Sequence, residues 1–325
     1  MLWCTAAARP IEQGVTMNRV LLLFSYVFCF GLLQAQELPP LPPLPPEQKQ
    51  SIDAALPAKA PAKPKQPRRI LVINLSVRDG NVVRGGAWNV HPASNYALEA
   101  MGKRTGAFET VFSNDVEMFR PDKIRQFDAV CFNNTTGVLF EDPELRRSLL
   151  DFVAGGKGLI GIHDAIATFV QYPRYDQWPE FGQMLGGTEN GGHPWNNELM
   201  VMKLDDPDSP INAAFKGRGF EVTDQAFQLQ EPSFRDRLHV LFSIDVEKTP
   251  PSRRGRFLPV RQQDKDFPMS WIKRHGKGRV FYFGLGHNAS IFWNAPLLEH
   301  LLAGIQYALG DLEADDRPSA ELKKR

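Results

Sequence analysis

Residues 155–169 read GGKGLIGIHDAIATF, and the reading of that stretch decides the fold. A glycine-rich turn releases a short apolar run, residues 159–162, which halts at His163 and Asp164. A run this short, bounded by turn residues, has the character of a strand buried on both faces. His163 then stands at the carboxyl end of a strand. Outward from there, RRILVINLS (68–76), FETVFS (108–113) and FDAVCFNN (127–134) carry the same signature. Helices fall between them. In SNYALEAMGKR (94–104), Tyr96, Ala97, Ala100 and Met101 lie near one stripe, and Gly106 ends the segment. Asp142 caps PELRRSLLDFVAGG, with Pro143 at the first helical position, Leu145, Leu149, Leu150 and Val153 on one face, and Gly155 at the end. Strands alternating with helices at short intervals need crossover connections, which produce a parallel sheet with helices on both faces. Ligands of such sheets sit beyond the carboxyl ends of the strands. His163, Asn133 and Asn134 are all placed there.

From residue 182 to about 266 the rhythm breaks into β-like pieces, NELMVMKL and RLHVLFSI, among loops rich in Gly, Pro, Asp and Asn. This reads as a β-rich insertion in the same domain. FPMSWIKRHGKGRVFYFGLGH then gives two strands joined at Gly276-Lys277-Gly278, and PLLEHLLAGIQYAL a last amphipathic helix stopped by Gly310. The domain is expected over 68–311, followed by a frayed charged tail, 312–325.

The chain has 325 residues, 42% hydrophobic and 23% charged, which suits a globular protein. A net charge of +1 supplies no excess of cations to hold phosphates, so nucleic acid is excluded as an expected partner. Three cysteines, Cys4, Cys29 and Cys131, make no disulfide framework and no CxxC zinc spacing. MNRVLLLFSYVFCFGLLQAQ begins at Met17 with Arg19, continues as an apolar run shorter than a spanning helix, and reaches Ala35 before polar Gln36. Residues 17–35 therefore read as a secretory signal peptide, with 1–16 an upstream extension, and the expected location is periplasmic or extracellular. Residues 36–67, carrying LPPLPPLPPEQKQ and ALPAKAPAKPKQPRR, read as a proline-rich linker in extended conformation.

VFSNDVEMF, FDAVCFNNTTG, GGKGLIGIHDA, GGHPW and HGKGRVFYFGLGH, in this order, resemble the ThuA-like (trehalose-utilisation) family over residues 70–310. The resemblance implies a flavodoxin-like fold related to class I glutamine amidotransferases. Those relatives place a nucleophilic cysteine near GIHDA, where this chain has His163, while Cys131 lies inside a strand as a small hydrophobe. Glutamine hydrolysis is therefore not expected.

Each candidate side chain has a structural and a functional reading. His163 is either a packed strand-end histidine or a working imidazole oriented by Asp164. His287 ends the strand GRVFYFGLGH, and His193 sits in the loop ENGGHPWNNE beside Trp195, whose indole either stacks on a sugar face or anchors the loop. His91, in WNVHPAS, precedes the first helix. His239, His275 and His300 read as structural or solvated. Asn134, Thr135 and Thr136 can bind hydroxyl groups or simply hold their own turn. Asp224 corresponds to the first member of an Asp-Glu pair in relatives, with Gln225 in the second place, and Ser209 stands where relatives tend to carry histidine.

The resemblance implies disaccharide or glycoside utilisation and an association with 3-keto sugars made by a sugar 3-dehydrogenase. A ketone at C3 acidifies the C2 proton, so a histidine base and a second acid could eliminate the C1 substituent. Expected catalytic groups are His163, His287, His193 and Asp164; expected binding groups are Asn134, Thr135, Thr136, Trp195, His91 and Asp224. No cofactor is required. A divalent metal held by His91, His163, His193 and His287 is one alternative; a sugar-binding module without catalysis is another.

Overall fold

Side chains alternate across a β-strand, so a strand that is apolar at every position must feed two cores at once. The computed structural model describes residues 40–171, 177–189, 192–231, 234–255 and 257–322, and this double burial organises them. Val72, Cys131, Ile160 and Phe281 are register neighbours on four adjacent strands and belong to one core. One residue further along, Ile73, Phe132 and Tyr282 belong to the other. Helices cover each side.

In chain order, α1 (Pro46–Ala55) precedes β1 (Arg69–Ile73), a short hairpin of β2 (Val77–Arg78) and β3 (Asn81–Val82), α2 (His91–Thr105) and β4 (Glu109–Phe112). Next come α3 (Pro121–Ile124), β5 (Ala129–Asn133), α4 (Pro143–Ala154), β6 (Gly158–Ile162) and α5 (Pro179–Leu185). The chain continues through β7 (Trp195–Leu204), β8 (Phe220–Ala226), β9 (His239–Ile244), α6 (Pro259–Asp264), β10 (Pro268–His275), β11 (Gly278–Phe283), α7 (Ala295–Ala308) and α8 (Ser319–Leu322). As its composition predicts, α4 is capped by the Asp142 carboxylate, which accepts the Glu144 N–H.

The large sheet has nine strands in the order β4-β1-β5-β6-β11-β10-β9-β7-β8. Its first five are parallel, and numbered among themselves they run 2-1-3-4-5, the flavodoxin order. The remaining four are antiparallel, so the parallel sheet expected from the alternating elements continues into the hairpin and the β-rich insertion as one mixed sheet. The cause is the two-residue turn at Gly276-Lys277, which reverses the chain beside β11; Gly276 has φ +58°. The insertion strands β7, β8 and β9 extend this same sheet, as one domain requires.

Two terminal expectations are corrected. Part of the span 36–67 folds: between its prolines, EQKQSIDAA forms α1, and Ile52, Ala55 and Leu56 enter the core. Beyond α1, both the N–H and the carbonyl of Ala62 bond to the Gln306 amide on α7, and the Lys65 N–H reaches Asp311. The tail from 312 to 322 is packed too, because Ser319 bonds to the β9 backbone at Leu238 and Val240, and Asp316 accepts from Arg274 and Tyr307. The expected extension, signal peptide, Cys4 and Cys29 lie outside the described residues, as does the end of the tail, 323–325. Among the described residues, no helix is long and apolar enough to cross a membrane.

Candidate functional site

The carboxyl ends of β1, β5, β6 and β11 gather on one rim, and the segments that leave them enclose a cavity of about 330 Å3. Val77 and Arg78 come from beyond β1, Thr136 and Gly137 from beyond β5, Asp164 from beyond β6 and His287 from beyond β11. Glu189, His193, Gln225 and Phe227, supplied by the region after α5 and by β8 and its exit, complete the wall.

His163 occupies the sharp turn after β6 with φ +45°, a left-handed conformation that an L side chain adopts only at a cost of about 1–2 kcal/mol. The turn directs the imidazole inward. It is fully buried, and Nδ1 lies 2.9 Å from the Gly284 carbonyl. A carbonyl only accepts, so Nδ1 carries the proton and, in the neutral ring, Nε2 is the basic nitrogen. Nε2 lies 3.3 Å from Oδ1 of Asp164, outside hydrogen-bonding alignment. Burial lowers the His163 pKa, against the pull of the nearby Asp224 charge. The Tyr282 hydroxyl fixes the turn by donating to the His163 carbonyl at 2.7 Å.

Asp164 faces the cavity. Burial pushes its carboxyl up to about 7, partly offset by His287. His287 lies beside it, its ring centroid 5.6 Å from that of His163. Its pKa is lowered by burial and by His163, with Asp164 opposing. His193 is lowered to about 4 by burial, then by His163, Arg254 and His287. Phe227 spaces the imidazoles, with ring centroids 4.9 Å from His163 and 4.6 Å from His193. Neutral pH therefore leaves neutral histidines beside a carboxyl group that still holds much of its proton. Nδ1 of His193, Nδ1 of His287, Nε2 of His163 and the Ser76 hydroxyl are all buried without a partner. Such orphaned groups call for a polar guest.

Of the expected site residues, the structure brings Asp164, His193, His287 and Thr136 to the wall, with His163 behind them. The others require correction. Trp195 is 1% exposed, donates its indole N–H to the Pro250 carbonyl and packs on Phe257 and Phe267, so its face is closed to a sugar. Thr135 is buried against the Thr168 hydroxyl at 2.6 Å. Asn134, also buried, spans from the Asp164 N–H to the Gly286 carbonyl, each contact about at the limit of hydrogen bonding. His91 is buried under the turn after β5, and burial lowers its pKa to about 4. Asp224 is buried too, where it holds the backbone of residues 286–288. Burial raises its carboxyl, while His163 and those N–H donors draw it down. Among the described residues, no three His, Cys, Asp or Glu side chains form a group able to hold a metal ion, so His91, His163, His193 and His287 are not assembled as one ligand set. Cys131 is buried in β5, and its thiol is pushed up by burial.

Glu189, Gln225, Phe227 and the β2–β3 hairpin escaped the sequence reading. The hairpin had a readable signal. Asp79-Gly80 between paired Val77-Arg78 and Asn81-Val82, with φ of 50° and 73°, is a two-residue turn of the Asp-Gly kind. Glu189 and Phe227 had none, since their position depends on how the insertion folds back.

The sequence matches a model of the trehalose-utilisation family, ThuA, over residues 82–308. Comparison with curated proteins finds no match. Among solved structures the chain is similar to a ThuA-like protein from Bacteroides uniformis, with 17% identity, a TM-score of 0.57, and coverage of 76% of this chain and 93% of that one. It is also similar to a ThuA-like protein from Parabacteroides merdae, with 16% identity, a TM-score of 0.51, and coverage of 78% and 99%. At such identity these two likenesses speak for the fold.

Proposed function

The chain belongs to the ThuA, trehalose-utilisation, family, and from that premise we propose that its cavity binds a glycoside or 3-keto-glycoside, on which Asp164 and His287 act as an acid–base pair. One observation carries this reading: Asp164, its carboxyl raised to about 7, lines the same wall as an imidazole whose pKa is lowered. Environments that push two groups in these directions provide a proton donor and a proton acceptor at one pH.

In the proposed reaction the neutral His287 ring removes the proton on C2, which the C3 ketone has acidified. The electron pair is held as an enolate on O3, toward which His193 can donate. Collapse of the enolate forms the C1–C2 double bond and breaks the C1–O bond, and the departing oxygen takes the Asp164 proton. Addition of water to the product would complete net cleavage. His163, which sequence position alone nominated as base or acid, is given a supporting role because its ring lies behind Asp164. A sugar 3-dehydrogenase supplying the ketone and export through residues 17–35 belong to the same proposal.

The test is incubation with a panel of glycosides and their 3-keto derivatives, with and without chelator, read by mass spectrometry. Asp164→Asn and His287→Ala are each expected to lower turnover by about 100-fold or more. The rate should form a bell: the acid limb follows protonation of His287 below its ordinary 6.5, and the alkaline limb follows loss of the Asp164 proton near 7. Sugar binding with no product over long incubation would instead identify a non-catalytic module.

A further inference from the structure

His287 is carried by the loop after β11, where three successive backbone N–H groups, those of residues 286–288, turn toward one side chain. Its anchor comes from β8. Both oxygens of the buried Asp224 carboxylate accept from the loop backbone: Oδ2 from Gly286 at 2.7 Å and from His287 at 3.4 Å, and Oδ1 from Asn288 at 2.8 Å. The Asn288 side chain adds bonds to the Thr223 carbonyl and to Asn197 Oδ1, both at 3.0 Å. From the opposite side, Gly286, at φ +138°, is packed so closely that a Cβ there would lie 3.3 Å from both His163 Cβ and Ile162 Cγ2. The loop is thus pressed against β6 and pulled toward β8.

We infer that Asp224 is the positioning residue for His287. Its two oxygens meet only N–H donors, an arrangement an ionised carboxylate satisfies and an amide cannot. In Asp224→Asn an NH2 group replaces one oxygen and confronts a backbone donor, so one side of the anchor is lost although the shape is kept. His287 then leaves the geometry that sets it beside Asp164 and His163. Its effect on rate rests on the acid–base reading above; its effect on the ring does not.

Two readouts separate these. In protein labelled at histidine, the His287 imidazole resonance in folded Asp224→Asn should shift toward that of an exposed histidine. Asn288→Ala, which spares the buried carboxylate and removes only the outer bonds, should give a smaller shift in the same direction. With a turned-over 3-keto-glycoside, Asp224→Asn should lower kcat by about 10–100-fold with KM within about twofold, the pattern of a misplaced group. An unmoved His287 resonance in folded Asp224→Asn overturns the inference, as does an unmoved one in Asn288→Ala should Asp224→Asn not fold. A shifted resonance without turnover in any variant or in the parent protein sustains the anchor and removes the acid–base reading.

Discussion

At the scale of single residues, Asp164 joins chemistry to stability through the same burial. Its carboxyl sits near 7 in the folded protein, against an ordinary 3.8 when exposed. A raised carboxyl stabilises the fold fully below the unfolded value. The advantage is lost as pH rises from there through about 7, since only the unfolded chain ionises freely in that window. The difference is on the order of 4 kcal/mol. Asp164→Asn should therefore melt higher than the parent protein at pH 8 and close to it at pH 4, and equal melting at both values would contradict the burial argument. The sequence displayed His163-Asp164 at the end of a strand, and the structure sets Asp164 in the cavity wall with His163 behind it. What it could not display was which of the two faces the cavity. That depends on the sign of one backbone angle, +45° at His163, and a histidine code does not announce it.

Among the elements, those legible in advance owe it to strong local signals. For α4, proline, cap, stripe and closing glycine agree, and its bounds match residues 143–154. Strands β1, β5 and β6 follow from continuous apolar runs. In contrast, β8 reads FEVTDQA, with polar residues at most positions and an edge location, so little marks it before it pairs with β7. The composition of α1 was obscured by prolines on both flanks, although a proline at the first helical position is compatible with a helix. The β2–β3 hairpin offers a test at this scale. Gly80 has φ +73° and open space where a Cβ would go, so alanine meets backbone strain without a clash. Gly80→Ala should cost about 1 kcal/mol. Because Val77 and Arg78 wall the cavity, it should also raise KM more than it lowers kcat.

Across the whole molecule, the nine-stranded sheet separates the chemical rim from an opposite rim where the described segments before β1 and after α7 are secured. His239 is the charged part of that fastening. Its Nδ1 lies 2.8 Å from the Arg317 carbonyl and its Nε2 2.9 Å from Asp206 Oδ2. Both neighbours accept, so the ring must donate twice and is an imidazolium. Burial pulls its pKa down, but Asp206, the Arg317 carbonyl and Asp315 carry it above 6.5. This stabilisation is fully present below 6.5 and is lost as pH rises through the folded value. Hydrogen exchange at the Ser319 and Val240 amides should accelerate between pH 6 and pH 9 beyond the intrinsic base effect, and His239→Gln should remove the excess. Composition marked both ends as loose because charge and proline describe a segment alone and not the surface waiting for it.

The grip of Gln306 on Ala62 has a practical meaning for where this protein may be cut. A length able to stand alone must include α1, since a chain started at Arg68 would strip the cover from Gln306 and vacate the seats of Ile52 and Leu56. Such a product should melt roughly 10 °C or more below one started at Pro45.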